Sequence, residues 1–287
     1  MVYLILSILS STLIFLTFKI SERYKLSLVK LIVLNYIAAS ALGFSFYPEK
    51  FDIQSIYTSQ WLPLAILIGV LFVFFFFMIG KSTQISGVGV TTIASKMSMA
   101  IPVLYSLVFF PEEMSIIKIT GLVAAFISVF LCIYKPGQIS VYNLKIVLPL
   151  IIFLGTGIAD SLIKYTQHFL VKNDVALLFS STVFSVALLC GLLYSFAFER
   201  KFIEYARFPL IIGGIVLGAA NFGSLYFLMQ SLEKSKIDSS IIFGVNNLSI
   251  VGLSVLAGFF IFSEKLNRVN IFGIALAVLS IIILTRF

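Results

Sequence analysis

Residues 109–134 read FFPEEMSIIKITGLVAAFISVFLCIY, and residues 261–286 read IFSEKLNRVNIFGIALAVLSIIILTR. At a constant offset of 152 (264 less 112, 273 less 121), Glu112 falls on Glu264 and Gly121 on Gly273. The same offset carries Ser95 onto Asn247 and Lys96 onto Leu248. A weaker match pairs STLIFLTFK at 11–19 with TGIADSLIK at 156–164. The chain therefore reads as two related halves, 1–138 and 139–287. Each copy of the stronger motif is an acidic turn leading into an apolar run, and about 20 such residues suffice to cross a bilayer as a helix.

Working outward, ten runs of this kind follow one another, near 2–20, 27–47, 61–80, 86–110, 116–134, 144–164, 175–198, 209–230, 239–262 and 270–286. Five runs per half is an odd number, so the second half must sit upside down relative to the first. The expected fold is an all-α polytopic membrane protein, with ten transmembrane helices arranged as two inverted five-helix repeats. Carriers built this way hold their substrate near the bilayer midplane, where the repeats meet.

Composition agrees. Hydrophobic residues make up 60% of the chain and charged residues 11%, against about 25% charged in ordinary soluble domains. A β-barrel would need period-two alternation, which runs such as VLFVFFFF at 70–77 lack. The net charge of +8 is spread over short connections, so it points to lipid headgroups and topology rather than nucleic acid. Basic residues are more numerous at the odd-numbered connections than at the even ones and the termini; the positive-inside rule alone would place both termini outside, and ten spans put both termini on one side either way. The first run lacks a basic n-region and a small-residue cleavage site and is read as a span. Cys132 and Cys190 both lie in apolar runs and read as packing residues without a disulfide framework.

Hydrolytic or transfer chemistry finds little support. His168 is the one histidine, and neither HExxH nor GxSxG is present. A membrane aspartyl protease needs two embedded aspartates sharing a proton, yet Asp52, Asp174 and Asp238 fall in or beside connections, leaving Asp160 alone. No catalytic residue, metal ligand or cofactor is expected.

The polar residues inside the runs say more. Between Ser86 and Phe110 the one charge is Lys96. On a helical wheel Thr91, Thr92, Ser95, Lys96, Ser98, Met99 and Pro102 share one arc, opposite Ile93, Ala94, Met97, Ala100, Ile101 and Leu104. Pro102 cannot donate to the carbonyl of Ser98, so this run is prone to kink there. Freed backbone at membrane depth is tolerated against protein or a wet cavity. An unpaired lysine at the bilayer centre costs about 2.5–3.5 kcal/mol on insertion scales, which argues that Lys96 faces a cavity. Asp160 either pairs with Lys164 one helical turn on, balances Lys96, or serves as a proton site.

Asn246 and Asn247 in GVNNLSI, with Asn221, complete the expected pathway of Lys96, Asp160, Ser95 and Thr92. Buried asparagines can equally bond a neighbouring helix. Gly214 and Gly218 have GxxxG spacing and read as a close helix contact. The stripe FVFFFF at 72–77 reads as lipid-facing, and Glu112 and Glu264 as carboxylates at the start of the helix that follows each.

The acidic residue closing a polar-faced run (FFPEE, FIFSE) and the last run with its early glycine resemble the EamA-like branch of the drug/metabolite transporter superfamily. The resemblance spans nearly the whole chain and is strongest over 77–134 and 229–286. It implies a secondary transporter of a small metabolite, an amino acid or similar amphipathic compound, exported by alternating access. It also implies a multi-pass protein of the bacterial inner membrane, monomeric or homodimeric, with its termini on the side opposite to the one the basic residues alone would give. Unlike the common family pattern, the first run has SSTLIFL where a tryptophan–glycine pair is usual. Two other classes fit the composition, a pore and a non-transporting membrane scaffold.

Overall fold

The computed structural model describes residues 1–47, 53–109, 116–134, 144–171, 175–199, 205–235 and 239–286. Regular structure among them is helical throughout. In chain order the helices are α1 (Val2–Arg23), α2 (Leu28–Ser45), the short α3 (Ile53–Tyr57), α4 (Leu62–Ile85), α5 (Val88–Met97), α6 (Ala100–Phe109) and α7 (Ile116–Ile133). There follow α8 (Leu144–Phe169), α9 (Ala176–Phe198), α10 (Phe208–Lys234), α11 (Ser239–Phe260) and α12 (Arg268–Arg286). Eight helical stretches are long and apolar enough to cross a membrane, α5 and the start of α6 counting as one; α7 and α12 carry shorter apolar stretches, Ile119–Ile133 and Arg268–Leu284. The protein is a polytopic helical membrane protein.

Its large apolar side chains face outward as well as inward. Leu154, Ile158, Leu189, Leu193 and Phe196 are exposed, whereas Ser7, Asn35, Thr91, Ser181 and Ser280 are buried. Lipid satisfies apolar surface but no hydrogen bond, so small polar groups turn inward to find partners. Ser7 Oγ donates to the carbonyl of Ser224 at 2.9 Å and Ser280 Oγ to that of Gly121 at 2.8 Å, tying α1 to α10 and α12 to α7.

Helices from 1–138 pack largely on helices from 139–287. The broadest pairings are α7 with α12, α1 with α10, α2 with α10 and α9, and α4 with α9 and α8. Small residues set these distances. A Cβ on Gly121 would meet Ile283 and Leu284, and one on Gly273 would meet Leu131 and Cys132. A Cβ on Gly43 would strike Ser181, and Gly191 faces Val33. In each pair the start of one helix lies beside the end of the other, so α7 runs antiparallel to α12 and α2 to α9.

The closest approach to a neighbouring backbone is at α10. A Cβ on Gly214 would collide with Leu34, and one on Gly218 would stand 2.5 Å from the carbonyl oxygen of Asn35 and 2.6 Å from Cβ of Ala38. The Asn35 carbonyl is backbone and cannot swing aside. Gly218→Val is therefore expected to destabilise the protein by about 3 kcal/mol, read as a lower melting temperature in detergent. Gly252→Ala, where a Cβ meets nothing within 4 Å, should leave it unchanged.

Candidate functional site: a cavity around Lys96 and Asp160

The fourth apolar run is two helices. α5 ends at Met97 and α6 starts at Ala100, with a turn at Ser98–Met99 between them. Pro102 sits on the first turn of α6, where a proline costs little. The Ser98 carbonyl is not left free, as the sequence suggests, because Ile101 N–H donates to it at 2.9 Å. The helix closes this gap with a tighter i→i+3 bond. The break leaves Lys96 at the inner end of a ten-residue helix, half-buried and facing a cavity.

That cavity has two chambers. The larger, of about 850 Å³, is lined by α4, α8, α9, α10 and α11 along with Lys96, Met99, Pro102 and Val103. Its wall is mainly apolar, with Phe72, Phe179 and Phe184 facing Leu228 and Phe243. The smaller, of about 240 Å³, lies between α4, α5 and α8 and takes in Phe75, Phe76, Ser95, Ser98 and Thr156. Phe72, Lys96, Met99, Asp160 and Asn247 line both chambers, so the charged groups stand at the waist.

Asp160 is exposed to this cavity and faces Lys96 and Ser98. Lys96 and Asp160 form no direct ion pair, and Lys96 makes no hydrogen bond among the described residues. Asp160 does not pair with Lys164 either; Lys164 instead lines the larger chamber. Asn247 Nδ2 lies 3.5 Å from Sδ of Met99, a weak bond. Asn246 is only 3% exposed and lines the larger chamber, yet its Oδ1 has no partner. A buried carbonyl without a donor costs about 1–3 kcal/mol.

The two ends of the bundle differ. The larger chamber reaches along the C-terminal halves of α8 and α10 and the N-terminal halves of α4, α9 and α11. There α8 and α10 make at most marginal contact with each other. At the opposite end α1 packs on α4, with Lys19 Nζ donating to the Gln84 carbonyl at 2.9 Å and Gln84 Nε2 to Ser21 Oγ at 3.2 Å. Lys30 meets Glu199 at 3.3 Å, and Asn270 Nδ2 donates to the carbonyls of Leu131, Cys132 and Tyr134. Among the described residues the larger chamber lies toward one end of the bundle, and these polar contacts between helices gather at the other.

Several expected site residues lie elsewhere. Thr92 is fully buried and donates to the Val88 carbonyl at 2.9 Å, away from the cavity. Asn221 Nδ2 reaches Asn35 Oδ1 at 3.2 Å across the α10–α2 contact and does not line it either. Ser95 lines the smaller chamber alone. Three rings of the supposed lipid-facing stripe, Phe72, Phe75 and Phe76, turn inward; Gly155 on α8 clears the space that Phe75 occupies. Glu264 does not serve its own following helix, since its carboxylate reaches α5 instead. Glu112 lies outside the described residues, as do Asp52, Asp174 and Asp238. No cluster of metal-ligating side chains occurs among the described residues.

Comparison with known proteins places the fold and little else. No family model matches the chain. An uncharacterized protein of Haemophilus influenzae is 29% identical over 280 residues, covering 94% of this chain and 93% of that one. A crystal structure matches with a TM-score of 0.61 over 98% of this chain and 94% of its own, at 14% identity. The two share a fold over their whole length.

Proposed function

We propose that the protein is a secondary transporter of a small amphipathic metabolite, working by alternating access. Ten spans would form two inverted halves, 1–138 and 139–287, in the manner of the EamA-like drug/metabolite transporters. The reciprocal glycine contacts support this arrangement. The offset of 152 carries Gly121 onto Gly273 and also Leu131 and Cys132 onto Ile283 and Leu284 (131 and 132 plus 152), which are the contacts of the two glycines. Such exchange is what a two-fold axis in the membrane plane produces.

The observation that carries the functional reading is Lys96. Its ammonium and the Asp160 carboxylate face one cavity without pairing, and Asn246, whose Oδ1 is buried without a partner, lines the same space. Two fixed charges held apart at a waist favour a ligand that brings its own anionic group to Lys96. The aromatic and aliphatic wall favours a ligand with an apolar body. A chamber confined to one end of the bundle, with the helices tied together by polar contacts at the other, supports a carrier rather than a continuous pore. Export from a bacterial cell across the inner membrane is the direction the family resemblance implies.

The test is flux. Purified protein in proteoliposomes, preloaded with candidate amphipathic metabolites chosen by a thermal-shift screen, should show saturable uptake accelerated by substrate on the opposite side. Unsaturable flux would make the protein a pore, and no flux with any compound that stabilises it would reject transport.

A further inference from the structure

α5 has a joint at each end. It begins after Gly87, whose φ of 109° is open in practice to glycine alone, and it ends at the Ser98–Met99 turn. The first N–H groups of a helix have no partner within it and carry the positive end of its dipole. Here they are taken by a residue from the other half of the chain. The Glu264 carboxylate accepts the Val88 N–H at 2.6 Å through Oε1 and the Gly89 N–H at 3.3 Å through Oε2.

Three local features serve this one contact. Ser263 adopts a left-handed φ of 54°, turning the chain after α11. The Glu264 N–H donates to the Gly258 carbonyl at 2.9 Å, which fixes the turn. Gly87 and Gly258 leave room for the carboxylate, since a Cβ on either would lie 2.9 or 2.6 Å from it. The contact sits at the end of the bundle away from the larger chamber, beside the α1–α4 packing.

Eight residues separate Val88 from Lys96, about 12 Å of helix at 1.5 Å each. The carboxylate thus holds one end of a short rigid rod whose other end presents Ser95 and Lys96 to the cavity. Building on the transporter reading above, we infer that Glu264 is a positioning residue for the transport cycle. Docked on α5 it keeps its end of the cavity shut and sets the position of Lys96. Undocked, it lets α5 tilt about the Ser98–Met99 turn and opens that end.

A helix cap that served stability alone would change melting temperature and nothing else, whereas a latch changes sidedness. Thr156, which lines the smaller chamber, is the reporter position. In a chain lacking Cys132 and Cys190, Thr156→Cys is reconstituted and treated with a membrane-impermeant maleimide from the face bearing residues 86–87 and 261–267. With Glu264 intact, labelling from this face should be slow. Glu264→Gln keeps at most one acceptor for the two N–H groups, and losing one charge-assisted bond shifts an open–closed ratio by about tenfold. Labelling should accelerate by that factor. Gly258→Ala pushes the carboxylate away without altering charge and should act in the same direction, deciding the matter if Glu264→Gln fails to fold. Folded variants that both label at the parental rate would overturn the latch and leave Glu264 a cap. Labelling needs no substrate, so this result stands or falls apart from the flux test of transport.

Discussion

Lys96→Met is expected to weaken substrate binding by about one to two orders of magnitude while leaving the protein folded. The ammonium faces the cavity with no hydrogen bond or ion pair of its own among the described residues, so its interaction energy is available to a ligand. A hydrogen bond to a charged group contributes about 1.5–3 kcal/mol, so affinity should fall by about 10- to 150-fold. Stability should hold or rise, because insertion scales charge about 2.5–3.5 kcal/mol for a lysine at mid-membrane and Met fills similar length with apolar surface. Ligand-induced thermal shift and unliganded melting temperature measure the two effects separately. A variant that melts far below the parent and is rescued by Asp160→Asn would instead mark the two charges as a structural pair in another state of the cycle.

Much of the architecture could be read from the sequence because hydropathy acts at the scale of a whole span. Each apolar run contains a helix, and the matched glycines Gly121 and Gly273 do face the partner helix. What hydropathy cannot sort is which face of an all-apolar helix turns inward. α4 is apolar on every side from residue 62 to 80, so its wheel offers no contrast there, and Phe72, Phe75 and Phe76 line the cavity although they read as lipid-facing. Polar residues mislead for the opposite reason. Within lipid a hydroxyl or amide seeks a partner wherever one is in reach, at a cavity or at a carbonyl of its own helix. Thr92 finds the Val88 carbonyl one turn back and Asn221 finds Asn35 across a helix contact, while Asn246, of the same residue type, lines the cavity with its Oδ1 buried and unpartnered. Which of these a polar residue meets depends on what packs around it, which no periodicity within one helix can encode. Glu264 is a third case. Its position suggests the helix that follows it, but the left-handed Ser263 aims the carboxylate at α5.

Asp160→Asn is expected to remove the response of transport to a pH gradient while sparing substrate exchange at equal pH on both sides. Ionisable groups inside spans are rare, and carboxylates there serve as proton relays. Asp160 is the acidic residue at the waist of the cavity and lines the larger chamber. It faces Lys96 at a distance too great for an ion pair and has the Ser98 hydroxyl beside it, so no counter-charge locks it in place. A carboxylate in this position can take up a proton while the cavity faces one side and release it after the cavity has turned to the other, which couples the two movements. Asparagine keeps the size and one acceptor of the side chain but holds no exchangeable charge, so only the coupling is removed. In proteoliposomes the parent should concentrate substrate against its gradient when a pH difference is imposed, and the variant should only equilibrate it. Exchange of labelled for unlabelled substrate at uniform pH should persist in the variant, within about threefold of the parent, because the Lys96 contact is intact. If Asp160→Asn accumulates substrate as the parent does, the proton is carried elsewhere or not at all, and Asp160 acts only as the counter-charge that orients a ligand against Lys96.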